Sequence, residues 1–259
     1  MIKILFMGRK PIAAQSLEYL LSINGIKIIG VLTDNHLMVS PTRDLALSHG
    51  LTLYDYDQAL AAIKAGNLKF DIGLSVLYWR ILSDEFLTLP SRGIINFHPA
   101  PLPEYKGTAG YNIAILDELT EWAVTAHYID EGIDTGGIIE VSRFKISKEN
   151  ETAKSLEYKS QSVLFDLFTR TVNSALNSQI LLKTSPNIGG RYVSRKEMEL
   201  MKEVLPGDNV SRKIRAFWFP PYDGANIIVN GVRCTLVDSF ILQQLADPTI
   251  SSLFTKKTL

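Results

Sequence analysis

The pattern that most restricts the fold is an alternation of short apolar runs with helically spaced ones through the first two thirds of the chain. Ile2 to Met7 is apolar except for Lys3 and closes on Gly8-Arg9-Lys10-Pro11, after which Ile12 to Leu21 repeats apolar residues at helical spacing. Ile26 to Thr33 predicts a second strand, Pro41 to Ser48 a helix, Leu51 to Tyr54 a third strand and Gln58 to Ala65 a helix. Asp71 to Val76 predicts a fourth strand, and Ile81 to Leu87 a helical segment. Strand and helix units joined by short turns call for a Rossmann-like α/β fold, a doubly wound and mostly parallel sheet. Ligands of such sheets bind in the crevice beyond the carboxyl ends of the strands. The loops after Val76, after Phe97 and around Asp130 to Gly137 are therefore expected to share one crevice.

Chemistry concentrates between Gly93 and Gly137. Gly93 to Phe97 reads as a short buried strand, and alternate residues of a strand share a face, so Asn96 and His98 project to one side. The run His98-Pro99-Ala100-Pro101-Leu102-Pro103 cannot continue as a helix, and the loop is expected to stand open until Glu104. Tyr111 to Leu116 predicts a short helix and Trp122 to Ile129 a strand. Asp130 to Gly137 is a glycine-rich turn that carries Asp134. Ile138 to Ile146 and Thr152 to Leu176 complete the unit as strand and long helix.

The pattern changes at Gln179. Short strands and turns are expected there: Ile180 to Lys183, a turn at Gly189 to Tyr192, a polar helix over Arg195 to Met201, and Val210 to Phe217. Asn226 to Val229 and Val232 to Val237, joined by Asn230-Gly231, predict a hairpin. The expected division is a catalytic domain over 1–178 and a small β-rich extension over 179–259. The tail after Leu245 is polar and is expected to fray.

The 259 residues carry 27 Lys plus Arg against 27 Asp plus Glu, so no excess positive charge is available to hold nucleic acid. The one cysteine, Cys234, precludes an internal disulfide, and no run resembles a signal peptide or membrane span. A cytoplasmic protein with no membrane partner is expected. Cys234 reads as a core filler. The four histidines are spread without metal-ligand spacing, so no metal is expected, and lone Gly8 is not a dinucleotide fingerprint. Taken singly, Asn96 could cap a turn and His98 could be structural, and His127 reads as packing.

Asn96-Phe97-His98-Pro99, the Leu102-Pro103-Glu104-Tyr105-Lys106-Gly107 loop and Ile133-Asp134-Thr135-Gly136 together resemble the signature of the 10-formyltetrahydrofolate-dependent formyltransferases. The resemblance extends over about Met1 to Asn177, and Arg191-Tyr192 with Phe219-Pro220-Pro221-Tyr222 resembles the branch acting on nucleotide-linked amino sugars. It implies a formyltransferase using N10-formyltetrahydrofolate, with a dTDP-linked sugar such as dTDP-4-amino-4,6-dideoxyglucose as acceptor in surface polysaccharide synthesis. Asn96, His98 and Asp134 would be catalytic. Leu77, Tyr78, Trp79, Asp130 and Gly132 would face the folate, and Lys106, Gly107, Thr108, Arg215, Phe219 and Tyr222 the acceptor. Two departures are Lys106, where many relatives have Arg, and Gly137, where an acid is frequent. Methionyl-tRNA formyltransferase shares the same core but calls for a larger C-terminal barrel and a basic face. A folate- or nucleotide-binding module without turnover would not need the intact triad. The aromatic stretch Phe217 to Val237 is expected to bury against a second copy, giving a homodimer.

Overall fold

A computed structural model describes residues 1–34 and 36–245, so the polar tail lies outside the described residues. The first part of the chain runs β1 (Ile2–Gly8), α1 (Lys10–Leu21), β2 (Ile26–Leu32), α2 (Pro41–Ser48), β3 (Leu53–Tyr54), α3 (Tyr56–Lys64) and β4 (Ile72–Val76). It continues through α4 (Asp84–Thr88), β5 (Ile94–His98), β6 (Tyr105–Gly107), α5 (Gly110–Leu116), β7 (Glu121–Tyr128), β8 (Ile138–Lys145) and α6 (Ala153–Asn177). Beyond lie β9 (Arg191–Val193), α7 (Arg195–Leu200), α8 (Val210–Phe217), β10 (Asn226–Val229), β11 (Val232–Thr235) and α9 (Ser239–Leu245).

Seven strands form one sheet in the order β3-β2-β1-β4-β5-β7-β8. The first five in that order are parallel, β7 runs antiparallel to β5, and β8 runs antiparallel to β7. Ile4, Phe6, Leu74 and Phe97 point to the face covered by α1 and α6, while Leu5, Met7, Leu32 and Ile94 face α3 and α4. Both faces of the central strands are thus buried, which is why those strands read as unbroken apolar runs. The long helix α6 starts where Thr152 accepts from the Ser155 N–H and the Ser155 hydroxyl accepts from the Thr152 N–H.

Four expectations need correction. Ile81 and Leu82 stay outside the helix, which begins at Asp84; the acidic pair Asp84-Glu85 suits the positive end of a helix dipole. Residues 180–183 form no strand. Val210 to Phe217 is a helix rather than a strand, capped by Asn209 and buried through its last five residues, Lys213 to Phe217. Cys234 is exposed, because every residue of β11 faces solvent in a two-stranded hairpin. The hairpin turn itself is as expected: Asn230 and Gly231 both have positive φ, +50° and +81°, which a type I′ turn requires.

Gly8 is needed for space rather than for turning. A Cβ there would lie 2.7 Å from the Ala13 Cβ, so the glycine lets α1 sit directly on the end of β1. Gly8→Ala is expected to push the helix off the strand at a cost of about 1–3 kcal/mol, read from the urea midpoint.

Candidate active site

Four loops border one cleft of about 580 Å³, reached from the carboxyl ends of β1, β4 and β5. Strand order reverses between β1 and β4, where such a fold opens a crevice. Arg9 and Lys10 follow β1, Leu77 to Arg80 follow β4, His98 and Pro99 end β5, and the Asp130 to Asp134 turn closes the far side.

The last of these arrives by a route that the parallel-sheet argument did not supply. Because β7 is antiparallel, its end lies beside Ile94 and Ile95, at the opposite end of β5 from His98. The turn then doubles back to reach the imidazole. Nor does the proline loop stand open. Thr125 Oγ1 donates to the Ala100 carbonyl at 2.8 Å and accepts from Leu102 N–H at 3.1 Å, and Trp122 Nε1–H donates to the Pro99 carbonyl at 3.2 Å. The loop is fastened to β7, which fixes His98 at its start.

The polar centre can be traced atom by atom. Ser75 Oγ–H donates to Asn96 Oδ1 at 2.8 Å, which orients the amide so that Nδ2 faces His127 Nε2 at 3.0 Å. His127 Nδ1 lies 2.7 Å from the Tyr128 carbonyl, which can only accept, so the hydrogen sits on Nδ1 and Nε2 is the acceptor toward Asn96. One Asn96 amide hydrogen remains for a ligand. His98 Nε2 likewise faces a carbonyl, that of Tyr105, at 2.9 Å and must donate to it. Its Nδ1 is left as the basic nitrogen, 3.5 Å from Asp134 Oδ2, while Asp134 Oδ1 lies 3.6 Å from His127 Nε2. Gly107 N–H donates to Asp134 Oδ2 at 2.9 Å. His127, set aside in the sequence as packing, therefore touches both Asn96 and Asp134; its place directly opposite Asn96 in the β5–β7 pairing was the available signal.

Burial and charge set the protonation states. Burial lowers the His98 pKa below its ordinary 6.5, outweighing the pull of Asp134 in the other direction, with His127 adding to the depression. Burial would raise Asp134, but its place beside the His98 and His127 imidazoles and the Gly107 N–H it accepts from hold it at about 2. The resting site pairs a free imidazole with a carboxylate.

Of the residues predicted for the folate side, Leu77, Tyr78, Trp79, Asp130 and Gly132 all line the cleft. Gly107, Thr108, Phe219 and Tyr222 line it too, whereas Lys106 and Arg215 do not. Lys106 is buried on β6. The Arg215 guanidinium donates to the carbonyls of Lys148 and Glu151, both at 3.0 Å, which ties α8 to the start of α6. Sequence reasoning missed Arg9, Lys10, Ser75, Tyr192 and Arg195, all at the cleft. The switch-point rule itself would have found the first two, since β1 is one of its two strands.

A basic imidazole nitrogen, a carboxylate and an amide donor thus converge at one cleft. Residues 47–172 match the family described as formyl transferase. Methionyl-tRNA formyltransferase of Clostridium tetani is 31% identical over 261 residues, covering 95% of this chain and 83% of its own length. The N-formyltransferase of Helicobacter canadensis, solved with folinic acid and dTDP-3-aminofucose, is 27% identical with a TM-score of 0.73 over 90% of this chain and 86% of its own. The sugar 3N-formyl transferase WlaRD, solved with dTDP and 5-N-formyl-THF, is 28% identical with a TM-score of 0.74 over 90% and 84%. The chain belongs to the formyltransferase family, enzymes of one-carbon transfer whose donor is a formyl-tetrahydrofolate.

The rim after β4 fits that donor. Leu77 is left-handed at φ +54°, and the backbone groups of Leu77, Tyr78 and Trp79 find no hydrogen-bond partner among the described residues. Open backbone donors and acceptors beside the Tyr78 and Trp79 rings, whose centroids lie 4.9 Å apart, suit a flat heteroaromatic ring with a polar edge. Trp79 is itself steadied by the Arg9 guanidinium at 5.8 Å and the His36 ring at 5.7 Å.

With the His98 pKa below 6.5, the imidazole is the free base at neutral pH, so kcat/KM is expected to fall on acidification below that value. Asp134→Asn removes the anion that raises this pKa and moves the acid limb to lower pH. Stability follows the same sign. The unfolded chain binds the His98 proton first as pH drops below 6.5, and the Asp134 contribution is lost from 3.8 to about 2, so both weaken the fold in acid. A pH–rate profile and a pH series of thermal melts check the two.

Proposed function

We propose that this chain moves the formyl group of N10-formyltetrahydrofolate to the amino group of a nucleotide-linked amino sugar, with dTDP the favoured carrier. The observation that carries it is the basic Nδ1 of His98 beside an anionic Asp134 and an Asn96 N–H free to receive an oxyanion. The amine lone pair attacks the formyl carbon, and the formyl oxygen, gaining negative charge, accepts from Asn96. His98 Nδ1 takes a proton from the new ammonium, Asp134 steadies the imidazolium, and the proton passes to folate N10 as the carbon–N10 bond breaks.

Support for a sugar nucleotide comes from the acceptor end of the cleft. Tyr192, Phe219 and Tyr222 offer flat rings for a base. Arg195, near Tyr192 in the sequence, lines the cleft without an ion-pair partner among the described residues, available to a diphosphate. The balanced net charge offers little hold on tRNA. A second reading, methionyl-tRNA formylation, is favoured by the Clostridium tetani relative.

One assay separates them: chain and N10-formyltetrahydrofolate with dTDP-4-amino-4,6-dideoxyglucose, dTDP-3-aminofucose or methionyl-tRNA. The N-formyl sugar is the expected product, and formylation of the tRNA alone would overturn the reading. His98→Asn and Asp134→Asn are expected to lower kcat by about a hundredfold or more with folate binding near normal. Preserved turnover in both would remove the assigned roles.

The site operates in the cytoplasm, in keeping with the absence, among the described residues, of a helix long and apolar enough to cross a membrane. Ile228, Val229 and Val232 expose apolar side chains on the hairpin, which supports a homodimer through this region. Light scattering is expected to give twice the chain mass, and Val232→Lys to return it to the monomer value.

A further inference from the structure

The segment between α6 and β9 runs behind the polar centre. Leu182 N–H donates to Tyr128 Oη at 2.9 Å, and Ser185 exchanges two backbone bonds of 2.7 and 3.0 Å with Ile138. Asn187 then reaches the turn that carries Asp134. Its Nδ2 lies 3.0 Å from the Asp134 carbonyl oxygen and 2.8 Å from that of Gly136. Carbonyls only accept, so the amide group facing them is the NH2 and both its hydrogens are used on this turn. Asn187 Oδ1 is left buried without a partner, which an orientation chosen for Oδ1 would have avoided.

The turn is one that requires restraint. Asp134 has φ +54°, a left-handed conformation uncommon outside glycine, although Asp adopts it more readily than most residues. The neighbouring chain is tight as well: a Cβ at Gly136 would lie 2.0 Å from the Tyr128 carbonyl oxygen, and one at Gly137 would lie 2.8 Å from the Thr184 hydroxyl. Gly137, one of the two departures from the family pattern, thus leaves room for the segment at Thr184.

We propose that Asn187 is a positioning residue for formyl transfer, holding the Asp134–Gly136 turn by both carbonyls so that the carboxylate stays beside His98. The inference rests on the catalytic reading of Asn96, His98 and Asp134. Asn187 lines no part of the cleft and acts through Asp134 alone.

Three variants test it. Asn187→Leu removes both donors at similar volume, Asn187→Asp turns a carboxylate on to two carbonyls, and Asn187→Gln keeps the donors on a longer arm. The Leu and Asp variants are expected to lose about tenfold to a hundredfold in kcat while KM for folate and acceptor stays within about twofold. The Gln variant regains part of the rate. NMR titration of the His98 imidazole reads the geometry without any acceptor. The groups facing it are Asp134 from the turn, His127 from β7 and the Tyr105 carbonyl from β6, so release of Asp134 lowers the pKa further. Unchanged kcat and unchanged His98 titration in Asn187→Leu would overturn the proposal. Equal losses of kcat, folate affinity and melting temperature that Asn187→Gln does not relieve would overturn it too, in favour of a purely structural role. If the parent chain formylates no sugar, the substrate assignment fails while the His98 titration still decides the role of Asn187.

Discussion

The antiparallel pairing of β7 with β5 is the constraint on which the polar centre depends. Residues directly opposite in such a pair share a face, and here the opposite pairs are Asn96 with His127 and His98 with Thr125. One register therefore supplies both an amide–imidazole contact and the hydroxyl that fastens the proline loop. A slip of β7 by one residue would send His127 and Thr125 to the face opposite Asn96 and His98. The same reversal sends the chain to the wrong end of β5, and only the doubled-back glycine turn recovers Asp134 for the site.

Electrostatically, the arrangement keeps apart two groups that would otherwise neutralise each other. Each imidazole commits one N–H to a backbone carbonyl, so the ring nitrogens turned toward Asp134 are lone pairs rather than donors. The carboxylate is held instead by a backbone N–H. A proton delivered by substrate to His98 Nδ1 thus completes an interaction that the resting site lacks, which is the differential stabilisation that catalysis requires.

The alternation of apolar and helical segments made the sheet legible, because both faces of β1, β4 and β5 are buried and leave the same signature. The convergence of Asn96, His98 and Asp134 was legible because the first two sit two apart on one strand and Asp134 sits in an obvious glycine turn. What stayed hidden depends on tertiary context. The antiparallel direction of β7 leaves no trace in its own residues, and the role of His127 follows only from that direction. Arg215 was assigned to the acceptor by resemblance, yet its guanidinium is used on two carbonyls across the fold. Val210, Ile214 and Phe217 stand at helical spacing behind Asn209 as a cap, so that helix was written in the sequence and was passed over among the turns around it.

Among the described residues the short strand β6 pairs with β9 alone, and Thr108 beside it bonds to Val193, 85 residues further along. Closing so long a loop carries an entropic cost that this pairing must offset, so the Gly107 edge of the cleft is held by a segment remote in the sequence from every other wall of the polar centre.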